Sequence, residues 1–88
     1  MNYRVIFTEI AKNDVVWLKK NDPSAFRKVV KLIFEITEHP YIGTGKPKPL
    51  KYTYKGCYLR RITQKHSLVY SIDDEKITVL VLSAARHY

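Results

Sequence analysis

The sequence predicts an α+β domain of order β-α-α-β-β-β, with a helical hairpin laid on one face of a twisted, mostly antiparallel four-stranded sheet. Three observations carry that expectation. Two stretches of helical apolar period lie side by side between residues 9 and 38, separated only by Asn21-Asp22-Pro23. Short runs with strand alternation or β-branched content precede them once and follow them three times. The 88 residues suffice for one modest core and not for two, so both layers must share it as a single domain, 1–88.

Taken in order, Tyr3 to Phe7 (YRVIF) reads as a short strand. Thr8 suits an N-cap, with Glu9 at the positive end of a helix that runs to about Lys20. Ala11, Val15 and Leu18, with Trp17 beside them, give it an apolar face, and Lys12, Lys19 and Lys20 take the other. Asp22 can cap a second helix whose first position suits Pro23, because that N–H would be unpaired anyway. Phe26, Val29, Val30, Ile33 and Ile36 form its expected core stripe, with Arg27, Lys28 and Lys31 outside. His39-Pro40 ends the helix near Glu38. Gly43, Gly45, Pro47 and Pro49 then predict an irregular loop that the prolines stiffen, placing Lys46, Lys48 and Lys51 at defined positions. Strands are expected at Tyr58 to Thr63, Ser67 to Ile72 and Lys76 to Ala84, with Asp73-Asp74-Glu75 as a turn. The last strand is the most apolar and belongs at the centre of the sheet.

The formal charge of +8 is concentrated rather than spread. Residues 39–72 hold seven Lys or Arg (Lys46, Lys48, Lys51, Lys55, Arg60, Arg61, Lys65) and no Asp or Glu, a field that attracts polyanions. Interleaved Tyr, Gly and Pro without helical period favour nucleic acid over a membrane surface. No apolar run reaches the roughly eighteen residues of a membrane span, and polar residues interrupt the N-terminal stretch, so a cytoplasmic location is expected. The single Cys57 cannot form an internal disulfide and reads as a small apolar strand residue. No His/Cys/Asp/Glu cluster has metal-ligand spacing, so neither metal nor cofactor is expected.

A string of residues then carries a specific likeness: Gly45-Lys46-Pro47, Pro49-Leu50-Lys51, Gly56, Arg60-Arg61-Ile62-Thr63, His66, Leu68-Val69-Tyr70 and the terminal His87-Tyr88. With this string the chain resembles the YoeB/Txe branch of the RelE superfamily of toxins from toxin–antitoxin systems. The resemblance implies a RelE-like, microbial-RNase-like fold. It also implies a metal-independent endoribonuclease that cuts mRNA in the ribosomal A site by attack of the 2′-OH on the adjacent phosphate. Implied partners are the ribosome, its mRNA and a YefM/Axe-like antitoxin whose acidic segment masks the basic cleft, and the toxin itself is a candidate homodimer. Residue by residue, His87 matches the general acid, a task suited to an imidazole. Tyr88 matches a group that stacks on a base or shapes the site, and Arg61 a phosphate-binding arginine. Lys46 and Lys51 match basic residues of the rim, with Arg60 and Lys55 as further RNA-contacting cations.

Two positions depart from the branch. Lys48 stands where it usually has Glu, in GKPEPLK, and Ser67 stands where it usually has Arg, in EHRLVY. Lys48 acts as the base if neighbouring cations and partial burial suit it to that role. Otherwise it only binds phosphate in a slow enzyme, or the chain is a weakened homologue that binds antitoxin and ribosome without cutting. Beside these residues, His66 is expected in a structural or solvated role and His39 as helix punctuation. Tyr58 and Tyr70 are expected in packing, while Tyr41, Tyr52 and Tyr54 could stack on bases.

Overall fold

A computed structural model of the chain describes residues 2–51 and 55–86. It contains strand β1 (Arg4–Phe7), helices α1 (Glu9–Asn21) and α2 (Pro23–Glu38), and strands β2 (Lys48–Pro49), β3 (Cys57–Arg61), β4 (Ser67–Asp73) and β5 (Thr78–Arg86). The strands form one sheet in the order β1-β5-β4-β3-β2. The expected α+β architecture is therefore present, with five strands instead of four. The additional one comes from the Gly/Pro loop, where Lys48 pairs with Leu59 and Pro49 with Tyr58 at the sheet edge. An edge is where proline is tolerated in a ladder, since its missing donor can face away from the neighbour.

The capping chemistry follows the sequence closely. The Thr8 side chain accepts from the Ala11 N–H and the Asp22 side chain from the Ala25 N–H, so each helix has an orphan donor satisfied at its start. On α2 the buried residues are Ala25, Val29, Leu32 and Ile36, while Val30 is exposed. The stripe thus lies one residue to the side of the expected one. Phe26 and Ile33 flank it as partly buried groups, and small Ala25 lets the hairpin close onto α1.

Val79, Val81, Ala84, Leu68, Tyr70 and Ile62 meet Ala11, Leu18, Val29, Leu32 and Ile36 in the core, on the face the helices cover. β5 lies inside the sheet, between β1 in parallel and β4 antiparallel, as its apolar run requires. It begins two residues later than expected because Ile77, with φ 50, belongs to the turn. Alternation sends Lys48, Leu59, Arg61, Ser67 and Val69 to the opposite face. No helix among the described residues is long and apolar enough to cross a membrane.

Candidate functional site

The site is built at one end of the open sheet face by register. Arg61, the last residue of β3, stands opposite Ser67, and Ser67 stands opposite Arg86 of β5. The Gly/Pro loop is tied to the same end, because the Arg61 N–H donates to the Gly45 carbonyl at 2.8 Å. A Cβ on Gly45, where φ is +84, would lie 2.8 Å from the Arg61 carbonyl oxygen, so this approach needs glycine. Lys46 follows at once with φ 50, and Lys48 stands on β2 opposite Leu59. Directly opposed residues of an antiparallel pair share a face, so Lys48 and Arg61 lie on the same side of the sheet. Both are exposed, as are Lys46, Lys51 and Lys55.

The structure thus brings Lys46, Lys48, Arg61 and Ser67 to one rim, with Lys51 and Lys55 further along the loop. His87 and Tyr88, and likewise Tyr52 and Tyr54, lie outside the described residues. Arg86, one residue before His87, holds its register opposite Ser67. Lys48 is exposed, so the burial on which its expected role as base depended is absent. Ser67 is almost completely buried.

Arg60 is a correction. Expected as an RNA-contacting cation, it is completely buried. Its Nε donates to the Tyr70 hydroxyl at 3.0 Å and Nη1 to Glu35 Oε1 and the Thr44 carbonyl, each at 3.3 Å. Nη2 donates to the carbonyls of His39 and Ile42. The reason is the period of two: Arg60 and Arg61 are neighbours on one strand, so one faces the helices and the other the open side. Tyr70 extends the arrangement by donating to the Pro40 carbonyl at 2.7 Å. Four carbonyls of the segment 39–44 are therefore held by Arg60 and Tyr70, and this clamp ties the entry of the loop to the sheet.

Glu35 completes the clamp and was not foreseen from the sequence. It accepts from the Thr44 hydroxyl at 2.6 Å and the Thr44 N–H at 2.8 Å, and these bonds, with the Arg60 guanidinium, hold its carboxyl below the usual range. The available signal was an acid three residues after Leu32, beside the buried stripe, where a carboxylate requires a partner. Gly43 sits against it, with φ +125, and a Cβ there would meet Glu35 Oε1 at 2.5 Å.

On the far side of the same segment, Tyr3 and Tyr41 both donate to the Asp74 carboxylate, one oxygen each. These bonds hold Asp74 below the usual carboxylate range and push Tyr41 up to about 12. Tyr41 also meets Tyr58 edge-on, and Tyr58 stacks on Tyr70, so these three rings serve packing. The sign for stability follows. A carboxyl whose folded pKa is depressed contributes stability above its ordinary value, and that contribution disappears as pH falls through the folded value. Asp74→Asn should therefore lower Tm on the neutral side of a plot against pH and converge on the wild-type curve as pH falls below about 4, so that the acid side of the plot is flattened. Parallel curves for the two proteins would remove Asp74 from the account.

Comparison with known proteins bears on this geometry. Residues 7–88 match the family of YoeB-like toxins of bacterial type II toxin–antitoxin systems. The chain belongs to that family. It is 38% identical over 85 residues to the toxin YoeB of Synechocystis sp., covering 97% of this chain and 96% of that one. Its fold superposes on the YoeB dimer from Staphylococcus aureus with a TM-score of 0.86 at 31% identity, and covers both chains fully. The YoeB–YefM complex from the same organism gives 0.84 at 30%, again over 100% of each chain. As a YoeB-family toxin of a type II system, the chain displays its basic rim on the sheet face away from the helical hairpin. Among the described residues no group of three His, Cys, Asp or Glu converges as a metal site.

Proposed function

We propose that this YoeB-family toxin is a ribosome-dependent endoribonuclease that cuts mRNA in the A site. Arg61 binds the scissile phosphate, Lys46, Lys51 and Lys55 draw and orient the RNA backbone, and His87 protonates the 5′-leaving oxygen after 2′-OH attack. Tyr88 shapes the site or stacks on a base. Lys48, exposed on the same face as Arg61, acts as a phosphate-binding cation, and the pairing of its edge strand with β3 keeps it within the rim. The single observation that supports the reading is the register Arg61–Ser67–Arg86, which aligns Arg61 across the sheet with Arg86, the residue that precedes His87-Tyr88 in the sequence. No metal or cofactor enters the scheme.

The partners follow from the family and from the field. YoeB–YefM complexes are known from a relative of the same size, and a basic rim of this kind is masked well by an acidic antitoxin segment. A homodimer has its precedent in the same organism. The toxin works in the cytoplasm, where translating ribosomes are.

The test is cleavage of mRNA in a translating extract, mapped to A-site codons. Intact mRNA at a high dose of wild-type protein would overturn the proposal. For Lys48 the expected result is specific: Lys48→Ala weakens ribosome half-saturation several-fold, about the worth of one charge-assisted contact, and changes the saturating rate little. A loss of about 100-fold or more in the saturating rate would instead assign Lys48 to the base.

A further inference from the structure

β5 does not run evenly to its end. Its pairing with β4 slips between Tyr70↔Val81 and Val69↔Ser83, and again between Val69↔Ser83 and Ser67↔Arg86. Each slip gives β5 one more residue than β4, and the second leaves Ala84 and Ala85 together against Leu68. Such a bulge disrupts the ladder locally, and the backbone groups it frees need other partners. Here side chains supply them. The Asp14 carboxylate on α1 accepts from the Ala84 N–H at 3.0 Å, and His66 Nδ1 bonds the Ala85 carbonyl at 3.1 Å. A carbonyl can only accept, so Nδ1 carries the proton.

The imidazole is itself well held. The His66 N–H donates to the Thr63 hydroxyl at 3.1 Å, and its carbonyl accepts from the N–H groups of Ile62 and Thr63. The Trp17 ring meets the imidazole at 5.8 Å between centroids, in an edge arrangement. Asp14, Trp17, His66 and Ala85 line one small cavity on this flank.

Without the second slip, residue 85 would stand opposite Ser67 and every later residue would arrive one place further on, turned to the other face. We infer that Asp14 and His66 are positioning residues for cleavage: by holding Ala84 and Ala85 in the bulge they set the register of Arg86, from which the chain continues to His87 and Tyr88. This rests on the assignment of His87 as general acid. Both act through the strand, by their bonds to Ala84 and Ala85.

The experiment is single-turnover cleavage on programmed ribosomes, with the saturating rate and the half-saturating ribosome concentration measured separately. His66→Ala and Asp14→Ala should each lower the saturating rate by about 10- to 100-fold, the scale of a misplaced catalytic group, with half-saturation unchanged within about twofold. His66→Asn, which can offer an amide donor near the place of Nδ1, should recover most of the rate, and His66→Gln, which reaches toward Nε2, should not. Asp14→Asn, keeping an acceptor oxygen, should likewise recover. Thermal unfolding of each variant identifies any that fail to fold, and the Asn/Gln pair decides in that case. A wild-type rate in folded His66→Ala, equal impairment of the Asn and Gln variants, or an effect confined to half-saturation would overturn the inference. The ¹⁵N spectrum of His66 in the wild-type protein gives a readout independent of activity. An Nδ1–H tautomer supports the clamp and an Nε2–H tautomer overturns it, even if the wild-type protein proves not to cleave and the functional proposal itself falls.

Discussion

Replacing His87 with Ala should lower the saturating rate of the proposed mRNA cleavage by about 10²- to 10⁴-fold, the range that a positioned general acid contributes. The 5′-oxygen leaves as an alkoxide unless a proton reaches it in the transition state, and an imidazole, whose ordinary pKa lies near neutrality, suits that transfer. His66, the nearest other imidazole in sequence, is committed to the Ala85 carbonyl. The loss should fall on the rate at saturation, since the cations proposed to bind the RNA are retained. Antitoxin binding and Tm should stay close to wild type, which separates lost chemistry from lost structure. Cleavage within threefold of wild type would exclude His87 as the acid.

The second large effect concerns stability. Arg60→Ala should reduce the free energy of unfolding by about 3–5 kcal/mol, the usual cost of removing one partner from a buried charge network. In a domain of this size that corresponds to a fall in Tm on the order of 15 °C. The lost cation leaves Glu35 without its charge partner, the Tyr70 hydroxyl without its donor, and the carbonyls of His39, Ile42 and Thr44 without the group that gathers them. Arg60→Lys should recover only a minor part, because one ammonium cannot span a fork that reaches so many acceptors. The adjacent Arg61→Ala is the control. Arg61 is exposed, so Tm should move by less than about 1 kcal/mol equivalent while cleavage falls. If chemical denaturation gave Arg60→Ala and Arg61→Ala the same midpoint, the clamp would not have the energetic weight argued for it.

The contrast between these arginines shows what was legible in the sequence and what was not. Elements whose signal is local were readable: Thr8 and Asp22 cap the helices as their chemistry demands, and the apolar run of β5 lies inside the sheet. The basic stretch was readable as a rim because lysines in a Gly/Pro loop have little else to do. Arg60 was misread because charge counting treats each cation as solvated, whereas strand alternation had already assigned one of two adjacent arginines to the covered face. Glu35, the matching acid, sits 25 residues away on another element, and only the fold brings it within 3.3 Å of Arg60. The fifth strand escaped for a related reason, since two residues, one of them a proline, carry no periodicity. Bulges also lie beyond sequence reading, because the alternation of β5 looks regular until its partner strand is known.

The peptide joining Arg60 to Arg61 also sets a rule about which changes the lineage of this chain can survive. Point substitutions along β3 would alter either the anchor or the tool. A one-residue insertion or deletion ahead of Arg60 would exchange them, putting an anchored cation where RNA is expected and an exposed one where the loop needs its staple. Length between Gly56 and Arg61 should therefore be under stronger constraint than residue identity at Cys57 or Tyr58.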